Sequence, residues 1–520
     1  MTGRFFGIFG ASIGLVFTIL TWLPTALPVK LESESPAFFR QKRFGRHGRT
    51  FTMLNFRAAF ASGIIALGLY LLTIAPDLTW ANASLDGVEL VTASATLGIP
   101  HPPGYPTYVI LGKAFSWLPL GSVAFRYNLF SAVAVAGAVG ILVLVIGALH
   151  ERVRPTTAMA AALMFAFAPL VWSQAIVAEI YGLNLLFLAA FLLVWVRRGS
   201  TGWAGFWLGL AITTHLTSIF FVPALMITGG RKFWPPLVGM MVGLLPWLLL
   251  PLLAAGNSPV VWGRPTNIQG WWWLVSGHLY SANLRPMFDI DHLASIWRAL
   301  ALGPVGMMAG NLQNPSAPAG SLGSTSNRRM IWLLGATATL YLLFAVFYHT
   351  PDAAINLLPV VMILALLIAP VLDRLGKAAL LLPIILVAVT FPARNLSGDY
   401  EVRLNAQRLL IEAPENALLL TPGNRTIFTI LYFQHVEEVR PDIRIADANL
   451  FAFDWYRDRL REQYPELYVP EGDDLDSFRQ VNKETRAFCR ANLVPEAGKF
   501  SIDSRRIETR SLASPQLDCE

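Results

Sequence analysis

Cysteine is nearly absent from this chain: there are two in 520 residues, Cys489 and Cys519. Neither has the spacing of a metal-ligand pair, so a cysteine-built metal centre is excluded. A disulfide stays open if the C-terminal part lies outside the cytoplasm, and two separate thiols fit the spacing equally well. Charge is scarce too, at 14% of residues against 54% hydrophobic, with a mean hydropathy of +0.51. Repeated apolar runs are long enough to cross about 30 Å of hydrocarbon, so the chain reads as a polytopic α-helical membrane protein. No internal repeat relates its halves. Nor is there a basic face: the net charge of +7 comes mostly from short Lys and Arg clusters between apolar runs. Such clusters mark cytoplasmic loops, which sets nucleic acid aside as a partner.

Acids are scarcest in the apolar part. Residues 1–391 hold 23 Lys plus Arg but only 11 Asp plus Glu, whereas residues 392–520 hold 17 and 22. The tail is therefore expected to be a separate water-soluble domain.

Apolar runs predict helices at about Phe5–Val29, Arg57–Ala75, Asn128–Ala148, Ala158–Trp172, Ile180–Val196, Trp203–Ile227, Trp234–Leu253, Leu293–Gly310, Ile331–Phe347, Ala353–Val371 and Ala378–Phe391. Basic clusters at Arg40–Arg49, Arg152 with Arg154, Arg197, Arg231, Arg328, and Arg374 with Lys377 should face the cytoplasm. Only one run separates Arg197 from Arg231, and it contains "TTHLTS". It is expected to be two half-helices meeting near His215 at the outer side, a polar break that lines a protein cavity. Setting the first run aside gives about 11 passes and an outer tail. That first run fits an extra helix, an uncleaved signal-like segment or an upstream extension, since Met53 also makes a suitable start.

The chain thus divides into an N-terminal apolar segment and basic cytoplasmic linker (1–52), a transmembrane domain (53–391) with its first outer loop at 76–125, and an extracytoplasmic α/β domain (392–520). In the tail, "NALLLT", "PGNRTIFTILYFQHVEE" and "DIRIADA" predict a βαβ unit. The turn "TPGN" admits a phosphate-binding reading, but a lone glycine is a weak signal and a plain strand-to-helix connection is favoured.

By this topology seven of the eleven acids lie at the outer face: Asp77, Asp86, Glu89, Glu179, Asp289, Asp291 and Asp352. Chemistry is expected there, beside His101, Arg126, Arg264, His278, Arg285 and the aromatic stretch "QGWWWLVSGHLY". In "LDGVEL" Asp86 and Glu89 stand one helical turn apart, so both can face one cavity. Asp86 fits two roles, a proton acceptor or an N-cap. In "HPPGYP" three prolines and Gly104 make a rigid hook that holds His101 and Tyr105; a purely structural turn is the other reading. Arg126 fits a phosphate ligand or an interfacial anchor.

These motifs resemble the GT-C membrane glycosyltransferases, specifically a transmembrane O-mannosyltransferase family known in bacteria as a domain of unknown function and related to an animal O-mannosyltransferase of plexin-type domains. That family pairs a "GDSGEL"-like element with "HPPGYP"; here they read "LDGVEL" and "HPPGYP". Further matches are "WSQAIVAEIYGLN", "GLAITTHLT", "WGRPTNIQG", "YHTPDAAINLLP" and "YFQHVEEVRPDIRIADANLFAFDWY", in order between Arg57 and Arg461. Departures are Leu85, Gly87 with Val88, and Arg264 in place of the acid of the family's "WGDP".

The resemblance implies a GT-C fold in the cell membrane, a polyprenyl phosphate sugar as donor, typically mannose, and an extracytoplasmic hydroxyl acceptor. It also implies that Asp86 is the general base for inverting transfer. Glu89 and Glu179 join Asp86 as catalytic candidates, Glu179 otherwise an interfacial ion pair. Arg126, His101, His215 and Arg264 are the candidates for the donor phosphate. Tyr105, Tyr181, Asn184 and Asp352 complete the expected binding set, and no cofactor or metal is expected. A transporter and a non-catalytic sensor with an outer ligand domain are the competing readings; against the first stand the missing repeat and acids in outer loops rather than at the midplane, and the second leaves "HPPGYP" and its acids without a purpose.

Overall fold

The computed structural model describes residues 43–44, 50–51, 54–84, 86–285, 289–301, 325–493 and 515–520. The Phe5–Val29 run, most of the 1–52 segment, Leu85 and the Leu293–Gly310 run beyond residue 301 lie outside the described residues.

After a two-residue pairing of β1 (Arg43–Phe44) with β2 (Thr50–Phe51), the membrane part begins at α1 (Leu54–Thr73). Two short helices follow, α2 (Gly87–Ala95) and α3 (Pro106–Ser116), and then the long α4 (Val123–Leu149). Ser122 caps α4 by accepting from Phe125 N at 3.1 Å, and the span is apolar on every side and wholly enclosed by other helices. It is the central pillar, with α1, α5 (Pro155–Phe167) and α7 (Tyr181–Arg198) against it. Between α5 and α7 lies α6 (Pro169–Ala175), bent 68° from α5 where a proline opens the new helix.

The expected break at His215 is present. α8 (Gly202–Thr214) ends there, His215 is extended, and a 3₁₀ turn (Leu216–Phe221) leads into α9 (Val222–Gly229). Asn184 on α7 bridges the break, its amide donating to Ala211 O at 2.9 Å and Ser218 Oγ at 2.8 Å.

Next come α10 (Trp234–Leu244), α11 (Leu250–Ala254) and α12 (Ile268–Val275). Glycines let α8 and α10 touch backbone to backbone. A Cβ on Gly205 would lie 1.9 Å from Pro236 O, and one on Gly239 would lie 1.8 Å from Gly202 O. This is the small-residue contact by which helices associate in a bilayer. The opposite flank of α10 exposes Trp234, Val238, Met241 and Val242, a face suited to lipid that Leu245 continues just beyond the helix.

The apolar part closes with α13 (Ile290–Ala301), α14 (Thr325–Phe347), α15 (Leu358–Leu372) and α16 (Leu381–Arg394). Among the described residues six helical stretches are long and apolar enough to cross a membrane, or seven with the bent α5–α6 pair. This tally goes by length and composition alone and groups segments that the sequence reading divides. The segment 202–229 is broken into short pieces, and Ala353–Arg394 forms one 42-residue stretch, turned at Gly376 (φ 62°) between α15 and α16.

In the tail, α17 (Glu401–Glu412) precedes β3 (Leu418–Thr421), α18 (Asn424–His435) and β4 (Arg444–Asp447), with β3 and β4 parallel as the sequence pattern predicts. After α19 (Asp454–Gln463) and α20 (Leu475–Asn482), β5 (Phe488–Asn492) pairs parallel to β3. β6 (Gln516–Cys519) then adds antiparallel, for a strand order β4-β3-β5-β6. Cys489 and Cys519 are joined across that last pair.

This domain is seated on the loop after α1, the start of α4 and the loop after α11. Arg403 Nε meets the buried Asp77 at 2.8 Å while also pairing with Glu437, Ala124 N donates to Tyr432 OH at 3.2 Å, and Arg459 donates to Ser258 O at 2.6 Å.

Candidate active site

The loop after α1 ends at Asp86, which holds the N-cap position of α2 (φ −102°, ψ −9°) but makes no capping hydrogen bond. Its carboxylate faces His101 instead, Oδ2 lying 3.6 Å from Nε2. The next residue must be small: a Cβ on Gly87 would lie 2.7 Å from Ala178 O, so glycine lets α2 start against the loop that carries Glu179.

One turn on, Glu89 is fully buried and accepts twice from one residue, His101 N to Oε1 at 2.7 Å and Nδ1 to Oε2 at 2.9 Å. The hook makes this geometry. Gly104 (φ 83°) and Tyr105 (φ 40°) reverse the chain, Pro106 opens α3, and the Tyr105 hydroxyl meets His101 Nε2 at 3.0 Å. His101 is thus held from both ring nitrogens. Burial alone would lower its affinity for a proton, but the carboxylates of Asp86, Glu89 and Glu179 push its pKa up to about 9. The imidazole is therefore a cation at neutral pH, enclosed between two acids. Asp86 is the one member with an open side, its side chain 37% exposed against 7% for His101 and 0% for Glu89.

Burial raises the Asp86 pKa; His101 pulls it back, Glu89 adds to the rise, and Arg425 opposes it. Glu179 is raised well above the usual range by burial and then by the charge of Asp86, with the Ser84 hydroxyl opposing. Asp352 is raised by burial, with Thr350 opposing and Asp86 adding to the rise. These acids therefore share one electrostatic neighbourhood. Tyr181 borders it, its ring 5.3 Å from that of His215, which in turn bonds Thr217 Oγ1 at 2.7 Å.

Three residues expected at the site are committed elsewhere. Arg126 donates to Leu120 O (2.9 Å), Ser116 O (2.5 Å) and Gly121 O (3.1 Å), which ties off the end of α3 and the following turn; it is a structural clasp. Arg264 pairs with Glu462 at 2.8 Å and Asp458 at 3.4 Å on α19, which fastens its loop to the tail. Asn184 holds the break in the α8 segment, as above.

Tyr280, the last residue of the expected aromatic stretch, presents its ring to His101 at 6.0 Å. The sequence reading missed other neighbours. Trp262 presents its ring to His101 at 6.4 Å and packs on Trp455 of the tail at 5.4 Å. Arg425, in the first turn of α18, stands with its guanidinium carbon 5.9 Å from the Trp80 ring centroid. The signal for Arg425 was its place in "TPGNRT", where the glycine alone drew notice.

Among the described residues, Asp86, Glu89 and His101 form the group able to hold a metal ion, with ligand atoms within 4.8 Å of one another. The raised proton affinity of His101 competes with a cation for the same place.

Two segments match family profiles of one kind. Residues 86–232 match the profile described as the Protein O-mannosyl-transferase TMEM260 N-terminal domain, and residues 402–492 match TMEM260-associated domain 2. A third profile, bacterial sugar transferase, matches residues 1–65. The chain is 24% identical over 472 residues to Protein O-mannosyl-transferase TMEM260 of Mus musculus, covering 78% of this chain and 67% of the mouse protein. It is 22% identical over 519 residues to the corresponding protein of Dictyostelium discoideum, covering 80% of this chain and 61% of that one. The chain thus spans about two thirds of the length of these relatives. Among solved structures, ArnT from Cupriavidus metallidurans bound to undecaprenyl phosphate aligns over 84% of this chain and 92% of its own, at a TM-score of 0.48 and 14% identity.

Proposed function

We propose that this chain, which carries both of those O-mannosyltransferase domains, is a membrane glycosyltransferase. In this reading it moves a sugar, mannose by the relatives' names, from a polyprenyl phosphate to a hydroxyl on the outer face of the membrane. The observation that carries the reading is Asp86: an uncapped, half-open carboxylate fixed against a buried cationic imidazole. A carboxylate that merely capped α2 would be turned onto the helix amides.

In the step proposed, Asp86 takes the proton of the acceptor hydroxyl as that oxygen attacks the anomeric carbon. The new C–O bond forms on one face while the bond from the anomeric carbon to the phosphate oxygen breaks on the other, inverting the sugar. The electron pair leaves with the lipid phosphate. Glu89 and Tyr105 position His101, whose charge keeps Asp86 ionised, and Glu179, Tyr181 and Asp352 border the hydroxyl-bearing substrates. No metal is required in this reading, because the protonated His101 already supplies the cation among the acids.

The test incubates the purified protein with labelled polyprenyl phosphate sugars and follows label into acceptor fractions, with and without a chelator, across pH. Transfer is expected to survive chelation. It should fall on the acid side as Asp86 takes up a proton, and on the alkaline side as His101 loses one near pH 9. Absence of transfer from every such donor would sink the reading.

The Cys489–Cys519 bond supports an extracytoplasmic tail, since such bonds persist in oxidising compartments. A reporter fused after Ser397 should be active only outside, and the two tail cysteines should resist alkylation until reduced. A cytoplasm-specific reporter active at that junction would overturn the orientation.

A further inference from the structure

The chain approaches Asp86 through a strained turn. Asn82 and Ala83 are consecutive residues in the left-handed region, both at φ 58°. Asparagine tolerates that conformation; alanine resists it, because its Cβ crowds the following carbonyl oxygen. Such a turn persists only where its surroundings hold it. Here the grip comes from two sides. Asn82 Nδ2 donates to Ser173 O at 3.2 Å, and Asn82 O accepts from Gln174 Nε2 at 3.1 Å, which fixes the turn to α6. Opposite lies the chain that leaves α16. Arg394 Nη1 donates to Asn82 Oδ1 at 2.8 Å, and Asp399 accepts from the Thr79 hydroxyl, which itself receives Ala81 N at 3.0 Å. Beyond the turn, Ser84 N donates to Ala81 O at 3.0 Å, and Ser84 Oγ lies 2.2 Å from where a Cβ on Gly87 would sit. The turn thus abuts the first residue of α2, with Asp86 between them. α18 lies against α2 farther along, where Thr92 Oγ1 reaches Phe428 O at 3.4 Å.

We propose that Arg394 and Asp399 are positioning residues: they hold the Asn82–Ala83 turn in its left-handed form and so aim the Asp86 carboxylate at the acceptor hydroxyl. Neither touches the reacting atoms. Their leverage is geometric, since a displacement of about 1 Å at a reacting group, caused by a change far from the chemistry, costs about 10² in rate. The inference rests on the transferase reading above and deepens it.

The test uses the full chain and compares Arg394→Met with the double variant Arg394→Met/Ala83→Gly. Four quantities are read: single-turnover transfer, donor KM, binding of polyprenyl phosphate alone, and thermal unfolding. Arg394→Met should lower the single-turnover rate by about 10- to 100-fold, with donor KM and lipid Kd near wild type. Glycine enters the left-handed region freely, so adding Ala83→Gly should return a factor of roughly 5 to 30 of the lost rate. A contact that merely supports the fold gives no such rescue, because relieving the backbone at residue 83 restores nothing that Arg394 bonds. An undiminished rate in well-folded Arg394→Met would overturn the proposal. So would a loss that Ala83→Gly leaves in place, or one carried by donor KM and lipid binding. Should Arg394→Met fail to fold, Thr79→Val, which deletes the hydroxyl bonded to Asp399, carries the same expectation, and an undiminished rate there overturns it equally. Each of these failures leaves wild-type transfer intact; wild-type protein that transfers from no polyprenyl phosphate sugar would remove both readings.

Discussion

Asp86→Asn is expected to lower transfer by about 10² to 10⁴, the cost of losing a general base, while the protein extracts and unfolds like wild type. The structure sharpens this expectation. Losing a helix cap would cost about 1 kcal/mol, but the Asp86 side chain makes no capping bond, so no such loss is due. Asparagine keeps the shape and removes the proton acceptor. Donor binding should persist, because the carboxylate is not assigned to the phosphate. The measurement is single-turnover transfer beside thermal unfolding in detergent. Substantial transfer by a well-folded Asp86→Asn would move the base elsewhere, to Glu179 first among the neighbouring acids.

The second large effect is structural in origin. Glu89→Ala removes the acceptor of both His101 bonds and leaves a buried imidazolium without its nearest partner, a class of change that costs about 3 to 5 kcal/mol. Loss of transfer should follow, because the hook no longer sets His101 against Asp86. Glu89→Gln keeps an acceptor for the His101 amide and should be milder. The pH dependence has a definite sign. His101 has its folded pKa raised from 6.5 to about 9, so the stability it contributes is fully present below pH 6.5 and is lost as pH rises through about 9. The gap between wild type and Glu89→Ala should accordingly be widest at neutral or acid pH and shrink toward alkaline pH. A gap that is constant from pH 6 to pH 10, or a Glu89→Ala protein as stable and active as wild type, would remove Glu89 from its positioning role.

What was legible in the sequence was local. Asp86 and Glu89 are three residues apart, "HPPGYP" begins twelve residues after Glu89, and "TTHLTS" announces a break in an apolar run; each meets its partners through short-range geometry. The β3–α18–β4 unit was legible for the same reason, since its periodicities switch within one segment. Arginine partners were not legible. Nothing in "AFRYN" says that Arg126 will find three carbonyls in the turn before it, and nothing in "WGRP" says that Arg264 will reach acids almost two hundred residues later. Arg425 was hidden by the same distance, because its place beside Trp80 exists only once the tail has docked. The turn at Gly376 between α15 and α16 falls where the sequence pattern divides the Ala353–Val371 run from the Ala378–Phe391 run.

The docking of α18 on α2 also sets an order of events during synthesis. The bond from Thr92 to Phe428 joins residues 336 positions apart. At about 5 to 20 residues per second, the ribosome delivers the covering helix roughly 20 to 70 seconds after the loop helix has left it. Through that interval the acid-bearing loop stands without the element that will lie over it. In the transferase reading proposed above, a message cut short before α18 would yield a membrane protein whose acid-bearing loop is left uncovered.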